Sequence, residues 1–337
     1  MRAIVFTQPG PSSVLTPVDR DLPEPGPGEV RVRLVRAGVN PTDWKRRLNP
    51  MDFDEVTPGQ DGAGVVDAIG AGVGGLDVGD RVWLVLAQRE KAHGTAADYT
   101  VQAASHVAPL PDDASYDLGA SLGVPAVTAH RALTSTEFGP SRLGPGTMDG
   151  MTVLVAGGAG AVGNAAIQLA RWAGATVVTT VSGPEKAALA TAAGAHHVVN
   201  YRDGDTEAAV LAVAPDGVDL VVEVAPAQNN ELDIAVTKVH GTVAIYANNG
   251  GDEFTVPLRP TFSKNLRYQF LILYSLDERF LRAAVEDVNE AVGAGALRVG
   301  EDAGVPLHHF PLDQTAAAHD AVEQGAVGKV LLDIAPE

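Results

Sequence analysis

Cysteine is absent from all 337 residues, which removes disulfides, thiol catalysis, iron–sulfur clusters and cysteine-ligated zinc together. No apolar run approaches the roughly 18 residues that span a bilayer. Met1-Arg2-Ala3-Ile4-Val5-Phe6 runs straight into a Pro/Gly turn, without the layout of a signal peptide. The cytoplasm is therefore the expected location. Basic residues are in short supply: 24 Lys and Arg face 42 Asp and Glu, a formal net charge of -18. Attraction to nucleic acid or anionic lipid depends on clustered Lys and Arg, so small-molecule partners are expected instead, although an acidic balance also serves plain solubility.

What is present is enough apolar side chain to bury a core. Apolar residues make up 45% of the chain and charged residues 20%, the balance of a folded protein, and the length suits two domains. The first part carries short β signals at Met1 to Phe6, Val30 to Leu34, Gly62 to Ile69 and Arg81 to Leu86, separated by turns such as Glu24-Pro25-Gly26-Pro27-Gly28. From about Ala126 strands alternate with Ala-rich helices, the pattern of βαβ units and a parallel sheet. Six strands are expected there: Thr152 to Ala156, Thr176 to Val181, His197 to Asn200, Val218 to Val224, Thr242 to Ala247 and Leu266 to Tyr274. A charged helix from Asp277 to Gly293 closes the series, and a tail ending in Gly328-Lys329-Val330-Leu331-Leu332 is expected to rejoin the first domain. The reading is α/β: residues 1–125 mostly β, 126–295 a doubly wound parallel sheet, and 296–337 the return.

The most informative stretch is Gly158-x-Gly160-x-x-Gly163, fed by the apolar strand Thr152-Val153-Leu154-Val155-Ala156 and followed at once by a helix. In a dinucleotide-binding turn Gly158 would permit the tight bend, Gly160 would leave space for a pyrophosphate, and Gly163 would let helix and strand pack closely, with the helix N-terminus favouring the anion. The second strand, Thr179-Thr180-Val181-Ser182-Gly183, ends without the acid that would bind a ribose 2′-hydroxyl. Ser182 can donate to a 2′-phosphate and Lys186 can neutralise it, so NADPH is expected, with Glu185 beside Lys186 as the opposing feature.

Gly38-Val39-Asn40-Pro41, Pro58-Gly59-Gln60-Asp61-Gly62-Ala63-Gly64, Gly79-Asp80-Arg81-Val82, Ala159-Gly160-Ala161-Val162-Gly163 and Gly328-Lys329-Val330, in this order and spacing, resemble the quinone oxidoreductase, or zeta-crystallin, branch of the medium-chain dehydrogenase/reductase superfamily. The resemblance covers nearly the whole chain and implies a GroES-like catalytic domain joined to a Rossmann NADP-binding domain. In the related zinc alcohol dehydrogenases a Cys ligand occupies the position of Asn40 and a His ligand that of Gln60; neither is present here, and no metal site is expected. The nine His residues do not rebuild one, since His196-His197 and His308-His309 are adjacent pairs and the rest are scattered.

The resemblance implies hydride transfer from NADPH to a quinone or an α,β-unsaturated carbonyl without a Lewis acid. It implies that Ala159, Gly160, Ala161 and Val162 lie along the pyrophosphate and that Ser182, Lys186 and Tyr201 surround the 2′-phosphate. Asn229, the loop Tyr246-Ala247-Asn248-Asn249 and the strand residues Leu271, Ile272 and Leu273 match positions near the ribose and nicotinamide. Asn40 and Thr128 match polar positions beside the nicotinamide, where turn formation and a plain helix hydroxyl are the structural alternatives. Many relatives carry Tyr where this chain has Lys45; that lysine either meets cofactor or a developing enolate or is one of three surface bases with Arg46 and Arg47. Trp44 and Phe53 are candidates for a planar-acceptor wall, and Met51 to Val56 with Gln88 to Ala97 for the shape of the acceptor pocket. A homodimer is a further implication. An enoyl-thioester or polyketide-type enoyl reductase, a non-catalytic NADPH-binding protein of the crystallin kind, and, least favoured, a zinc alcohol dehydrogenase stay open as alternatives.

Overall fold

A computed structural model describes residues 1–336. The chain divides into two units, one formed by Met1–Val124 with the segment from Pro306 onward, the other by Pro125–Val305. In the first unit β1 (Arg2–Val5) pairs antiparallel with β2 (Thr16–Asp19), and β3 (Glu29–Val39), β4 (Asp61–Ile69), β5 (Arg81–Leu84), β6 (Tyr99–Ala103) and β7 (Val107–Pro109) build the larger sheet. Val30, Val32 and Leu34 are fully buried, the period of two by which a strand buries one face. Helix α1 (Pro41–Arg47) follows β3, with Pro41 at its first turn and the Asp43 carboxylate accepting from the Asn40 N–H at 2.7 Å. Helices α2 (Tyr116–Gly119) and α3 (Gly123–Leu133) lead out of this unit.

The second unit is a six-stranded parallel sheet. Its strands are β8 (Thr152–Ala156), β9 (Thr176–Val181), β10 (His197–Asn200), β11 (Val218–Glu223), β12 (Thr237–Ile245) and β13 (Arg267–Phe270), in the spatial order β10-β9-β8-β11-β12-β13. That order, with all neighbours parallel, is the doubly wound arrangement of a Rossmann domain. Helices α4 (Ala161–Trp172), α5 (Pro184–Ala192), α6 (Thr206–Val213), α7 (Pro226–Val236), α8 (Leu258–Ser263) and α9 (Glu278–Gly293) connect or follow the strands. The central strands Val153 to Ala156 and Leu220 to Val222 are buried throughout, as expected of parallel strands covered on both faces. The chain then returns: β14 (Leu307–Pro311), helix α10 (Thr315–Glu323) and β15 (Lys329–Asp333) join the first unit, with β15 antiparallel to β3.

In the parallel sheet β12 and β13 differ from the sequence expectation by more than a residue, and β12 begins at Thr237 rather than Thr242. Strand β12 ends at Ile245, which leaves Tyr246 and Ala247 in a loop. Strand β13 stops at Phe270, so Leu271, Ile272 and Leu273 are not strand residues. The reason is pairing: β13 is the edge, and among the described residues its one ladder, to β12, ends at Ile245 opposite Phe270.

Candidate cofactor and active site

The glycine turn joins β8 to α4. The left-handed conformation that demands glycine falls at Gly157, with φ of 70°, one residue before the motif's first glycine. Gly158 serves packing instead, because a Cβ there would sit 2.2 Å from Thr179 Oγ1. Gly163 is equally constrained: a Cβ would meet the Gly157 carbonyl oxygen at 2.5 Å. Gly160 alone is exposed and open, its nearest obstacle for a Cβ being the Gly157 oxygen at 3.4 Å. No side chain caps α4 at Gly160, so the first N–H groups of a 12-residue helix keep their capacity for an anion. A dinucleotide pyrophosphate fits this cradle, with Ala159 buried beneath and Ala161 and Val162 half-buried in the first turn.

The end of β9 carries Ser182, half-buried, and α5 presents Lys186 exposed. Lys186 forms no ion pair among the described residues. The Tyr201 N–H donates to the Val181 carbonyl at 3.1 Å, which brings this half-exposed phenol beside the strand end that bears Ser182. No acid stands at the end of β9 itself.

At the end of β11 the buried Glu223 organises the next contacts. Its carboxylate accepts from the Ala225 N–H, and Asn229 Nδ2 donates to it at 3.0 Å from Oε1 and 3.2 Å from Oε2, so the one NH2 group of Asn229 spans both carboxylate oxygens. The backbone carbonyls of Glu223 and Val224 accept from the N–H groups of Tyr246 and Asn249 at 3.1 and 3.0 Å. Asp233 lies buried beside Glu223. Burial pushes both carboxyls up, and for Asp233 the neighbouring Glu223 adds to the rise, so the pair favours holding a proton. Burial, then the Glu223 charge, also pushes the Tyr246 phenol up. Beyond β13 the Leu271 N–H donates to Ile245 O at 2.8 Å; Ile272 is exposed and Leu273 buried. The candidate cofactor residues thus stand at the carboxyl ends of all six parallel strands, the side on which open α/β sheets bind ligands.

In the first unit Asn40 is 3% exposed, and its carboxamide is engaged at both ends. Nδ2 donates to Asp61 Oδ2 at 2.7 Å and Oδ1 accepts from Lys329 Nζ at 2.8 Å. Burial raises the Asp43 carboxyl to about 7. Gln60 is buried as well, its Oε1 accepting from the Gln88 N–H at 3.2 Å. Lys45 is half-buried with its ammonium 5.8 Å from the centre of the Trp44 ring. Arg47 is not a surface base: its side chain is 0% exposed and pairs with Glu323 at 3.2 Å, because α1 packs its Arg47 side against α10. Phe53 packs against the core of this unit. A cavity of about 370 Å³ in the same unit is lined by Lys91 to Gly94 and Ala97, but by no residue of Met51 to Val56. Thr128 is buried in α3.

Sequence reasoning gave no role to Lys329, Asp61, Glu223 or Asp233. Lys329 and Asp61 lie in the segments Gly328-Lys329-Val330 and Gln60-Asp61-Gly62, and only the pairing of β15 with β3, and of β3 with β4, reveals that they meet.

Known proteins place this arrangement. Residues 26–112 match the family described as "Alcohol dehydrogenase GroES-like domain" and residues 161–290 that described as "Zinc-binding dehydrogenase". Fold and glycine cradle together define a medium-chain dehydrogenase/reductase. A quinone oxidoreductase of Rattus norvegicus is 30% identical over 343 residues, spanning 98% of this chain and 97% of its own. A 2-methylene-furan-3-one reductase of Solanum lycopersicum is 31% identical over 226 residues, 64% of this chain and 54% of that protein. Among solved structures, one titled NAD-dependent alcohol dehydrogenase superposes with a TM-score of 0.85 at 30% identity, covering 99% of this chain and 100% of that one. The Escherichia coli quinone oxidoreductase complexed with NADPH gives 0.81 at 25% identity, covering 99% and 100%. The chain belongs to the quinone oxidoreductase family of this superfamily, a family of NAD(P)H-dependent reductases acting on small molecules.

Proposed function

We propose that this protein is a zinc-independent, NADPH-dependent reductase that transfers hydride to quinones or activated α,β-unsaturated carbonyls. The observation that carries the reading is the set of residues at the six strand ends, above all Ser182, Lys186 and Tyr201 around a β9 end with no acid. Bound NADPH supplies the hydride. The chain's own residues hold and orient it: the open Gly160 and the uncapped α4 N-terminus take the pyrophosphate, and Lys186 and Ser182 take the 2′-phosphate. Leu271, Ile272 and Leu273, with Tyr246 to Asn249, line the approach of the nicotinamide. Asn40, Lys45 and Thr128 are the polar groups proposed to act beside the reacting ring. Zinc independence is supported by the donor set: there is no cysteine, Asn40 and Gln60 are engaged by protein partners, and the described residues hold no group of three His, Cys, Asp or Glu that could bind a metal.

A cytoplasmic homodimer is part of the proposal. Edge strand β13 exposes Phe270, with Ile272 just beyond it, and nearby α8 exposes Leu258 and Phe262. A sheet edge with an apolar face of this kind is normally covered, and a second copy would do so.

The test is NADPH oxidation, followed by its absorbance, against a panel of quinones, enones and enoyl thioesters with NADH and chelator controls. The expected outcome is chelator-insensitive turnover with preference for NADPH over NADH. Alcohol oxidation abolished by chelator, or tight NADPH binding with no turnover, would refute the proposed mechanism.

A further inference from the structure

Asn40 stands between β3 and α1, Asp61 starts β4 and Lys329 starts β15, and their exposures are 3%, 0% and 2%. Lys329 Nζ donates to Asn40 Oδ1 at 2.8 Å and to Asp61 Oδ2 at 2.9 Å, while Asn40 Nδ2 donates to the same Asp61 oxygen at 2.7 Å. Asp61 is itself held on its other side, where Oδ1 accepts from the Val124 N–H at 2.7 Å. Two glycines make the close approach feasible. A Cβ at Gly38 would lie 2.8 Å from Lys329 Nζ, and one at Gly123 would lie 2.3 Å from Asp61 Oδ1.

The chemistry of the three groups permits one arrangement. An ammonium only donates and a carboxylate only accepts, whereas a carboxamide donates at one end and accepts at the other. Turning the Asn40 amide over would set its NH2 against the Lys329 ammonium and its carbonyl against the Asp61 carboxylate. Either partner alone would bias the amide; the two together fix it. One Nδ2 hydrogen is committed to Asp61 and the second remains as a donor of fixed direction.

We propose that Lys329 is a positioning residue for the reduction: through its bonds to Asn40 and Asp61 it locks the Asn40 carboxamide into the single orientation that presents this second hydrogen. The role of Asn40 at the reacting ring rests on the function proposed above; the lock itself does not. A purely structural ion pair predicts something different, since a buried pair can be replaced by uncharged groups of similar size with little loss of fold.

The experiment compares the wild type with the double variant Lys329→Met/Asp61→Asn, which removes both charges and leaves none unpaired. The expected result is a kcat lower by about tenfold or more with the KM for NADPH within about twofold, the pattern of an interaction used in the transition state rather than in binding. The thermal midpoint of the double variant is read alongside to establish that it folds. Wild-type kcat in the folded double variant would overturn the proposal. A second measurement needs no turnover: the two Nδ2 protons of Asn40 in the wild type, observed by NMR, are expected to be widely separated and slow to exchange with solvent. Proton shifts and exchange like those of exposed asparagines would sink the lock. If the wild type reduces no acceptor in the panel, the proposed function fails, while the Asn40 resonances, compared between the wild type and the double variant, still decide whether Lys329 and Asp61 fix the amide.

Discussion

Asp287 in α9 receives a hydrogen bond from His130 in α3, Nε2 to Oδ2 at 2.7 Å, with both side chains 2% exposed and 157 residues apart in sequence. The same carboxylate accepts from Arg142 Nε at 2.7 Å and from the Leu143 N–H at 2.6 Å. Burial alone would raise this carboxyl, but these donors outweigh it and hold it below the usual range. One carboxylate therefore ties two helices and a loop of the second unit. Asp287→Ala leaves buried donors without an acceptor and is expected to cost about 3 kcal/mol, the size seen when one partner of a buried pair is removed; urea denaturation of the variant measures it.

The first unit holds two buried groups whose effects on stability oppose each other. Asp43, raised to about 7 by burial, binds its proton more readily folded than unfolded, so its contribution falls as pH rises from the unfolded value of 3.8 to about 7. His319, lowered to about 3 by burial and then by the Arg47 charge, does the reverse: its contribution is complete above 6.5 and is lost as pH falls toward 3. The two slopes cancel in part over the shared window. Asp43→Asn is expected to make stability rise more steeply with pH between about 4 and 6.5, and His319→Gln to make it fall there. Thermal midpoints at half-unit pH steps test both signs; parallel curves for the two variants would refute the assignment.

The glycine cradle separates binding from folding. A Cβ at Gly160 meets nothing closer than 3.4 Å, so Gly160→Val is expected to fold normally and to lose NADPH affinity by about tenfold or more, because the branched side chain fills the phosphate space. Gly163→Val is expected to destabilise the protein itself, since its Cβ would press on the Gly157 carbonyl at 2.5 Å. Calorimetric titration with NADPH and a melting curve on each variant distinguish the two.

Cofactor choice is expected to follow the end of β9. Lys186→Glu should raise the KM for NADPH by about tenfold with little change for NADH, as one charge facing a 2′-phosphate is reversed. Equal losses with both cofactors would mean that Lys186 does not meet the 2′-phosphate.

The Rossmann half of the molecule was readable because each of its signals is local. The run Thr152 to Ala156, the glycine spacing that follows and the Ala-rich helix report a strand, a turn and a helix within a few residues, and four of the six expected strands match to within a residue at each end. The strand expected over Leu266 to Tyr274 is shorter in the fold, Arg267–Phe270, because apolar character does not show where an edge strand loses its partner. In the same way Arg47, flanked by Lys45 and Arg46, looks like a solvated base in sequence, and only the return of α10 buries it.

By itself, then, the sequence determined the order of strands and helices, the dinucleotide turn, and the exclusion of thiol and cysteine–zinc chemistry, since each depends on residue type and short spacing. Tertiary structure decided which polar side chains became partners. Lys329 and Asp61 stand 268 residues apart, and Glu223 and Asp233 meet only where a helix folds back on a strand end. No periodicity encodes such meetings. They are set by strand pairing and by the cost of burying a charge or a carboxyl without a partner, which is paid or avoided only once the chain has closed.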